Sequence, residues 1–229
     1  MAIIDVIIPA FNEESSIPLV IRDIPDEVRT IYVCNNGSTD QTALVAEKAG
    51  AVVLNEPRKG YGSACLKGMS EIGKLPKNEQ PDIIVFMDGD YSDHPDELHL
   101  LVQPILEQGV DMVIGSRALG NLEPGSMTVP QVFGNWLATN LLKLFYNYHF
   151  TDLGPFRAIK WPVLKELGMC DPDFGWTVEM QIRAAKAKLN CTEVPVTYRK
   201  RVGVSKVSGT VKGTFLAGHK ILWTLFKLL

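Results

Sequence analysis

Two carboxylates one residue apart, Asp88 and Asp90, close the segment Phe86-Met87-Asp88-Gly89-Asp90. They follow the apolar run Ile83-Ile84-Val85-Phe86-Met87, which reads as a buried strand entered after Pro81-Asp82. At the carboxyl end of such a strand, with only a glycine between them, they leave room for a hard divalent cation and a diphosphate. Oxygen ligands of this kind suit Mg²⁺ or Mn²⁺, which keep some waters and complete their shell with substrate phosphates. Ligands in open α/β sheets also bind outside the carboxyl ends of the strands. An acidic pair in this place can equally cap the next helix or line a solvated loop, so its meaning depends on three further segments.

The first is Pro9-Ala10-Phe11-Asn12-Glu13-Glu14, where a first strand ends. Freed backbone groups there can grip a base and ribose, Phe11 can pack on the base, and Glu13 can accept a hydroxyl or amide proton. The structural alternative is a helix start, with Asn12 as N-cap and the acidic residues favouring the helix dipole. The second segment is Asn35-Asn36-Gly37-Ser38-Thr39-Asp40, in which Asn36 can read a base edge through its amide and Asp40 can cap the following helix. It also reads as a plain structural turn. The third is Arg58-Lys59-Gly60-Tyr61-Gly62-Ser63-Ala64, two glycines around an aromatic before a helix, a possible phosphate cradle at a helix N-terminus. It lacks the Gly-Lys-Ser/Thr ending of a Walker A loop.

The elements that must position these segments alternate as far as Arg117. Strands are expected at Ile3–Ile8, Ile31–Cys34, Ala51–Leu54, Ile83–Met87 and Met112–Ile114. Between them come helices at Glu13–Val28 (broken at Pro18 and Pro25), Asp40–Ala49 with Gly50 as its stop, Ser63–Ile72, and Pro95–Glu107. This spacing implies right-handed βαβ units and a mainly parallel sheet. Beyond Arg117 a Gly/Pro/Asn loop spans Gly120–Thr128. Helices are then expected at Gln131–Tyr148, Trp161–Leu167 and Thr177–Lys188, with strands at Phe156–Ile159 and Thr192–Tyr198. With no internal repeat and no linker, residues 1–210 form a single α/β domain, followed by an amphipathic helix at 211–229.

Pro-Ala-x-Asn-Glu-Glu, Gly-Ser-Thr-Asp, Gly-Tyr-Gly and Asp-x-Asp, in this order and spacing, resemble the family 2 glycosyltransferases of the GT-A fold. The likeness continues through Gly115-Ser116-Arg117, Asp152-x-Gly154-x-Phe156-Arg157 and Gly203-x-Ser205-Lys206. It covers nearly the whole chain and is closest to the dolichol- or polyprenol-phosphate sugar synthases. The resemblance implies a Rossmann-like sheet flanked by helices, and a nucleotide-sugar donor bound with Mg²⁺ or Mn²⁺. It implies that Pro9, Phe11, Glu13 and Asn36 hold the nucleoside, that Asp88 and Gly89 face ribose and diphosphate, and that Asp90 is the principal metal ligand with Asp88 beside it. Lys206 matches a cation on the leaving diphosphate, and Arg117 a residue that receives the acceptor phosphate. Positive charge on the leaving group is what such a transfer needs.

The chain departs from the family in several places. Asn35-Asn36 stands where Asp-Asp is common. Tyr91-Ser92-Asp93-His94 has no glutamine to serve as a further metal ligand, so Ser92 or Asp93 would substitute. The subgroup's arginine ahead of Gly-x-Ser-Lys falls on Lys200, between Arg199 and Arg201, and Lys200 is thereby assigned to the nucleotide sugar. Gln131 appears near a second acceptor-phosphate arginine of the subgroup. The acceptor is therefore open. A lipid phosphate is ionised at pH 7 and needs no base, and Arg117 would orient it for a single displacement with inversion. A hydroxyl acceptor requires a carboxylate base, for which Glu179 and Asp152 are candidates. Glu179 also reads as the structural partner of a nearby cation, and His94 as a cap on the Pro95 helix, with an approach to the metal as its alternative. Trp136, Phe145 and Tyr148 read as core or as the wall of an acceptor groove.

The C-terminus favours the lipid. Between Val211 and Leu229 large apolar residues, Trp223 among them, alternate with Lys212, Lys220 and Lys227, as in a helix lying at a membrane interface. Packing on the domain or on a second subunit is the alternative. In the 229 residues no apolar stretch is long enough to span a bilayer, and the N-terminus goes straight into strand-like sequence without a signal peptide. A cytoplasmic protein, peripheral on a membrane, is the expectation. The net charge of −3 gives no basic surface for nucleic acid, and the four scattered cysteines read as structural thiols in a reducing compartment. Two rivals stand beside transfer to lipid phosphate: transfer to a hydroxyl, and a non-catalytic nucleotide-binding scaffold.

Overall fold

The computed structural model describes residues 2–203 and 211–229, with side chains in the second stretch from Gly218 onward. Its first half is built as the periodicity requires. Strand β1 (Ile4–Ala10) is followed by helix α1 (Ile17–Asp23), β2 (Val28–Asn35), α2 (Thr42–Lys48), β3 (Val52–Asn55), α3 (Tyr61–Gly73) and β4 (Ile83–Phe86). A short 3₁₀ turn at Pro95–Glu97 leads into α4 (Leu98–Gln108) and β5 (Met112–Ser116). The second half holds α5 (Val129–Tyr146), β6 (Arg157–Lys160), α6 (Trp161–Leu167), α7 (Trp176–Lys186), β7 (Cys191–Pro195) and α8 (Val211–Lys227).

Among the described residues the strands form one sheet in the order β3-β2-β1-β4-β6-β5-β7. Neighbours are parallel except at β6, which runs antiparallel to both β4 and β5. The chain leaves β1 toward β2 on one side and meets β4 on the other, so the sheet has its switch point between β1 and β4. The crevice beyond their carboxyl ends is where a doubly wound sheet receives a ligand.

Alternation along the strands sorts the core into two layers. Val6, Ile8, Val85 and Val113 face α1 and α4, while Ile7, Phe86 and Ile114 face α3, α5 and α7. Leu225 of α8 is fully buried in this second layer, so the last helix docks on the domain by one face. Cys34 and Cys65 are buried thiols of the same layer, and burial pushes Cys34 up to about 12.

One expected element and some expected residue roles differ. The first helix is confined to Ile17–Asp23, because Glu13 to Ser16 form a turn and Val28 already belongs to β2. Asn12 is not its N-cap: it has φ of 55°, and Ser16 holds the cap position without a side-chain bond. Trp136 is not core either, being 58 % exposed, whereas Tyr148 stacks on Phe150 at 4.9 Å and donates to the Leu189 carbonyl.

Candidate active site

A cavity of about 520 Å³ opens at the switch point, with Phe11, Asn36, Asp88 and Asp90 toward one end and Arg117 and Gln131 toward the other. Its first wall is made by two loops that clasp each other. The Asn12 backbone N–H donates to Ser38 Oγ at 3.0 Å, and Asn12 Oδ1 accepts from the Thr39 N–H at 2.8 Å. The left-handed backbone at Asn12, a conformation asparagine tolerates better than most residues, aims the side chain across at the second loop. The N-cap of α2 is Gln41 and not Asp40, which stands one residue earlier; Asp40 accepts from the Thr42 N–H at 2.9 Å, and its other oxygen accepts from the Glu14 N–H. Pro9, Phe11 and Glu13 are thereby presented to the cavity. Glu13 Oε2 accepts from Ser16 Oγ at 2.8 Å.

Asn36 lines the same cavity, but its amide is committed. The amide nitrogen donates to the carbonyls of Arg58 (2.7 Å) and Glu56 (3.2 Å), and the amide oxygen accepts from the Gly60 N–H (2.8 Å). Both amide protons are therefore spent on holding residues 56–60 in place, leaving none for a base edge. The Gly-Tyr-Gly segment likewise differs from a phosphate cradle. A Cβ at Gly60 would stand 2.1 Å from the Pro172 carbonyl oxygen, and one at Gly62 1.9 Å from that of Asp171. The Ser63 N–H, in the first turn of α3, donates to Pro172 at 2.8 Å. The glycines let the α3 terminus close against the 171–173 loop.

Beyond β4 the acidic residues crowd together. Asp90 is buried: Oδ1 accepts from the Ser92 N–H (2.9 Å) and Oγ (2.5 Å), and Oδ2 pairs with the Arg201 guanidinium at 2.6 Å. Burial, and then the charge of Asp90, push Asp88 up to about 7. Burial and the same two neighbours hold Asp93 well above the usual carboxylate range. Asp88 Oδ1 and Asp93 Oδ1 have no hydrogen-bond partner. Neighbouring buried carboxylates with an unpartnered oxygen, their acidity suppressed by burial and then by each other's charge, lack positive charge, which a divalent cation supplies. The residues present thus suit Mg²⁺ or Mn²⁺. Among the described residues no three His, Cys, Asp or Glu side chains converge as a closed metal site. Asp88 and Asp90 would then leave the remaining positions to phosphate and water. His94 takes no part: its ring lies 3.7 Å from Asp96 and makes no cap bond.

At the far end Arg117 forks onto Asp152, Nε to Oδ2 at 2.8 Å and Nη2 to Oδ1 at 2.7 Å, while its own N–H donates to Oδ2. Burial works against the guanidinium's charge, and Asp152 outweighs it. Tyr198 lies beneath it at 5.0 Å. The turn carrying Asp152 is pinned by Arg157, fully buried and donating to the carbonyls of Leu153, Gly154 and Thr177. Burial lowers Arg157 to about 10. Neither candidate base stands ready. Asp152 is bound by Arg117, and Glu179 accepts from Arg183 (2.8 Å) and the Asp171 N–H (2.7 Å).

Lys200 is not brought to the cavity. It is an exposed side chain whose backbone N–H donates to Glu123, with Nζ 3.9 Å from the same carboxylate. Arg201 enters in its place. The triplet Arg199-Lys200-Arg201 signalled a cation here, but only the backbone alternation decides which of the three faces Asp90. Gly89 lines the cavity wall, and Gln131 does so from the capping box it makes with Thr128. Lys206 lies outside the described residues.

The second layer of helices closes the cavity on the side of Pro130, Gly134 and Ile221. Helix α8 is fastened by Lys220 to Asp171 (3.0 Å) and by the Tyr146 hydroxyl to the Leu225 carbonyl (3.2 Å). Its outer face exposes Trp223 and Phe226, with Leu229 just beyond its end, and α5 alongside exposes Phe133, Trp136 and Leu144. No helix among the described residues is long and apolar enough to cross a membrane.

With this geometry the chain can be set beside known proteins. The glycosyl transferase family 2 model matches residues 5–168. An uncharacterized glycosyltransferase of Mycobacterium bovis is 36% identical over 217 residues, covering 93% of this chain and 94% of that protein. An undecaprenyl-phosphate mannosyltransferase of Micrococcus luteus is 27% identical, covering 90% and 88%. Among solved structures, glucosyl-3-phosphoglycerate synthase from Mycobacterium tuberculosis, in complex with Mn²⁺, UDP and phosphoglyceric acid, has a TM-score of 0.78 at 22% identity. That match covers 99% of this chain and 78% of the other, and shows a shared fold.

Proposed function

The chain belongs to glycosyl transferase family 2, and within that family we propose that it moves one hexose from a nucleotide sugar to a polyprenyl phosphate, inverting the anomeric centre, at the cytoplasmic surface of a membrane. The observation that carries this reading is one continuous cavity that joins the Asp88–Asp90 end to Arg117 and then reaches α5 at Pro130, Gln131 and Gly134 and α8 at Ile221. The relation to an undecaprenyl-phosphate mannosyltransferase supports it.

In this reading Phe11, Glu13 and the 36–60 wall seat the nucleoside. Asp88 and Asp90 would hold Mg²⁺ or Mn²⁺, which would stabilise the negative charge that develops on the departing nucleoside diphosphate. Lys206 is proposed to add a second positive charge to that group. Arg117, kept charged and oriented by Asp152, turns the rest of its guanidinium toward the acceptor phosphate. That phosphate is already ionised and attacks without a base, which accords with Asp152 and Glu179 both being committed elsewhere. GDP-mannose and UDP-glucose are the donors to try first. The exposed faces of α5 and α8 would rest on the bilayer that carries the acceptor.

The test is a transfer assay with Mn²⁺ or Mg²⁺, each labelled donor separately, and short-chain polyprenyl phosphate. Label should enter the organic phase with one donor and be lost in Asp90→Ala. Metal-dependent donor hydrolysis without lipid product would point to a hydroxyl acceptor. Nucleotide binding without turnover would point to the scaffold reading.

A further inference from the structure

We propose that Arg201 is an exchangeable counter-ion: without ligand it neutralises Asp90, and it leaves Asp90 only when a metal arrives together with the donor diphosphate, onto which the guanidinium then moves. This rests on the reading of Asp88 and Asp90 as the metal-diphosphate end of the site.

The hydrogen bonds of Asp90 define the problem that ligand binding must solve. Oδ1 is committed to Ser92 through both the backbone N–H and the hydroxyl. The oxygen left for a metal is Oδ2, and Arg201 holds it at 2.6 Å. A divalent cation and a guanidinium on one carboxylate oxygen repel each other strongly where water is scarce. A metal arriving alone must therefore displace Arg201 and offers no anion in return. A metal bringing a diphosphate supplies anionic oxygens, which the guanidinium fork recognises well.

The surroundings allow the side chain to move while the backbone stays. The Val202 N–H donates to the Asp90 carbonyl at 2.9 Å, and the Arg199 N–H to that of Ser92 at 3.0 Å, so this segment is laced to residues 90–92. The Arg201 side chain is 28 % exposed and lines the cavity, which gives it room to turn toward a bound phosphate. Arg199 cannot take its place. It stacks on Tyr91 at 3.5 Å and donates to the carbonyls of Tyr91 and Asp93. The consequence is a linkage: metal and nucleoside diphosphate each bind better in the presence of the other, and by reciprocity to the same extent.

The test is Mn²⁺ binding, followed through the spin-resonance signal of the free ion, with and without UDP or GDP. In wild type the productive nucleotide should tighten Mn²⁺ by about tenfold or more, a typical size for coupling between two sites. Arg201→Met should bind Mn²⁺ alone several-fold tighter than wild type, and the gain from nucleotide should shrink. Arg201→Lys should fall between them. A second readout needs no variant: the Arg201 Nε–H resonance of the wild type should shift with Mg²⁺ plus nucleotide and not with Mg²⁺ alone. Equal or weaker binding of Mn²⁺ alone by Arg201→Met, or a resonance that moves with Mg²⁺ alone, overturns the counter-ion role and leaves the donor site standing. Absence of any nucleotide effect in wild type removes the donor-site reading and this inference with it.

Discussion

The two ends of the cavity are built on different principles. At the end proposed for the donor, residues 9–14, 35–40 and 56–63 are tied together by short side-chain bonds to backbone groups, such as Asn12 to Thr39 and Asn36 to Arg58. Position there is set by groups every residue carries, with a few polar side chains as rivets. At the end proposed for the acceptor one charged cluster, Arg117–Asp152–Arg157, stands beside helices whose outer faces are apolar and exposed. A nucleotide offers the same polar atoms in every donor of its kind, so a backbone-defined pocket suits it. An acceptor that differs from one family member to the next is better met by side chains and helix surfaces, which change without disturbing the sheet.

The strongest test of this contrast is Asp152→Ala. It leaves the buried Arg117 without its carboxylate, while Arg157 and Glu193 still hold the 151–154 turn. Removing one partner of a buried pair costs about 3–5 kcal/mol, so a denaturant midpoint should fall markedly. If stability hardly changes, the acceptor end is looser than described and the contrast weakens. Next comes Asp90→Ala, expected to lower transfer by about 10²–10³-fold, the scale on which a group serving the developing charge acts. Its stability should change less than that of Asp152→Ala, because the mutation removes a crowded carboxylate. Equal losses of stability would mean that Asp90 is architectural.

A smaller effect is expected at Gly62, where the donor wall meets the 171–173 loop. Gly62→Ala drives a methyl into the Asp171 carbonyl, 1.9 Å away before relaxation. Overpacking of this kind costs about 1–3 kcal/mol. Because Asp171 also receives Lys220 from α8, the strain should loosen α8, visible as faster amide exchange around Leu225. Normal exchange there would show that the two ends are mechanically separate.

What the sequence revealed follows the same division. The Asp88–Asp90 pair, the β1 and β2 loops and most helices were legible, because a buried strand has its own pattern and the loops follow directly from it. Side-chain direction was not. Asn36 reads as a base contact until Glu56, Arg58 and Gly60 are seen around its amide, and these come from a loop some twenty residues away. Lys200 and Arg201 are indistinguishable in composition, and a one-residue change of register exchanges the face each presents. The expected helix over Glu13–Val28 failed for a related reason: Glu13, Ser16 and Thr42 satisfy one another in a turn, which periodicity does not register.

The mildest substitutions bear on the surface that most separates the two ends. Phe133 and Trp136 lie 5.8 Å apart on α5, and Phe145 meets Phe226 of α8 edge-on at 5.8 Å, so the two helices offer one apolar surface. Trp136 and Trp223 are both 58 % exposed. Replacing either with serine removes little packing, and stability should stay within about 0.5 kcal/mol. Aromatic side chains favour an interface with one apolar and one wet side, so flotation with lipid vesicles should fall for Trp136→Ser and Trp223→Ser, and further for the double variant. Transfer to a short, water-soluble polyprenyl phosphate should be unchanged, since neither side chain lines the cavity. If flotation is unaffected while the protein changes its state of association, these faces meet a second copy of the chain. The acceptor end would then be defined by assembly instead of by a bilayer.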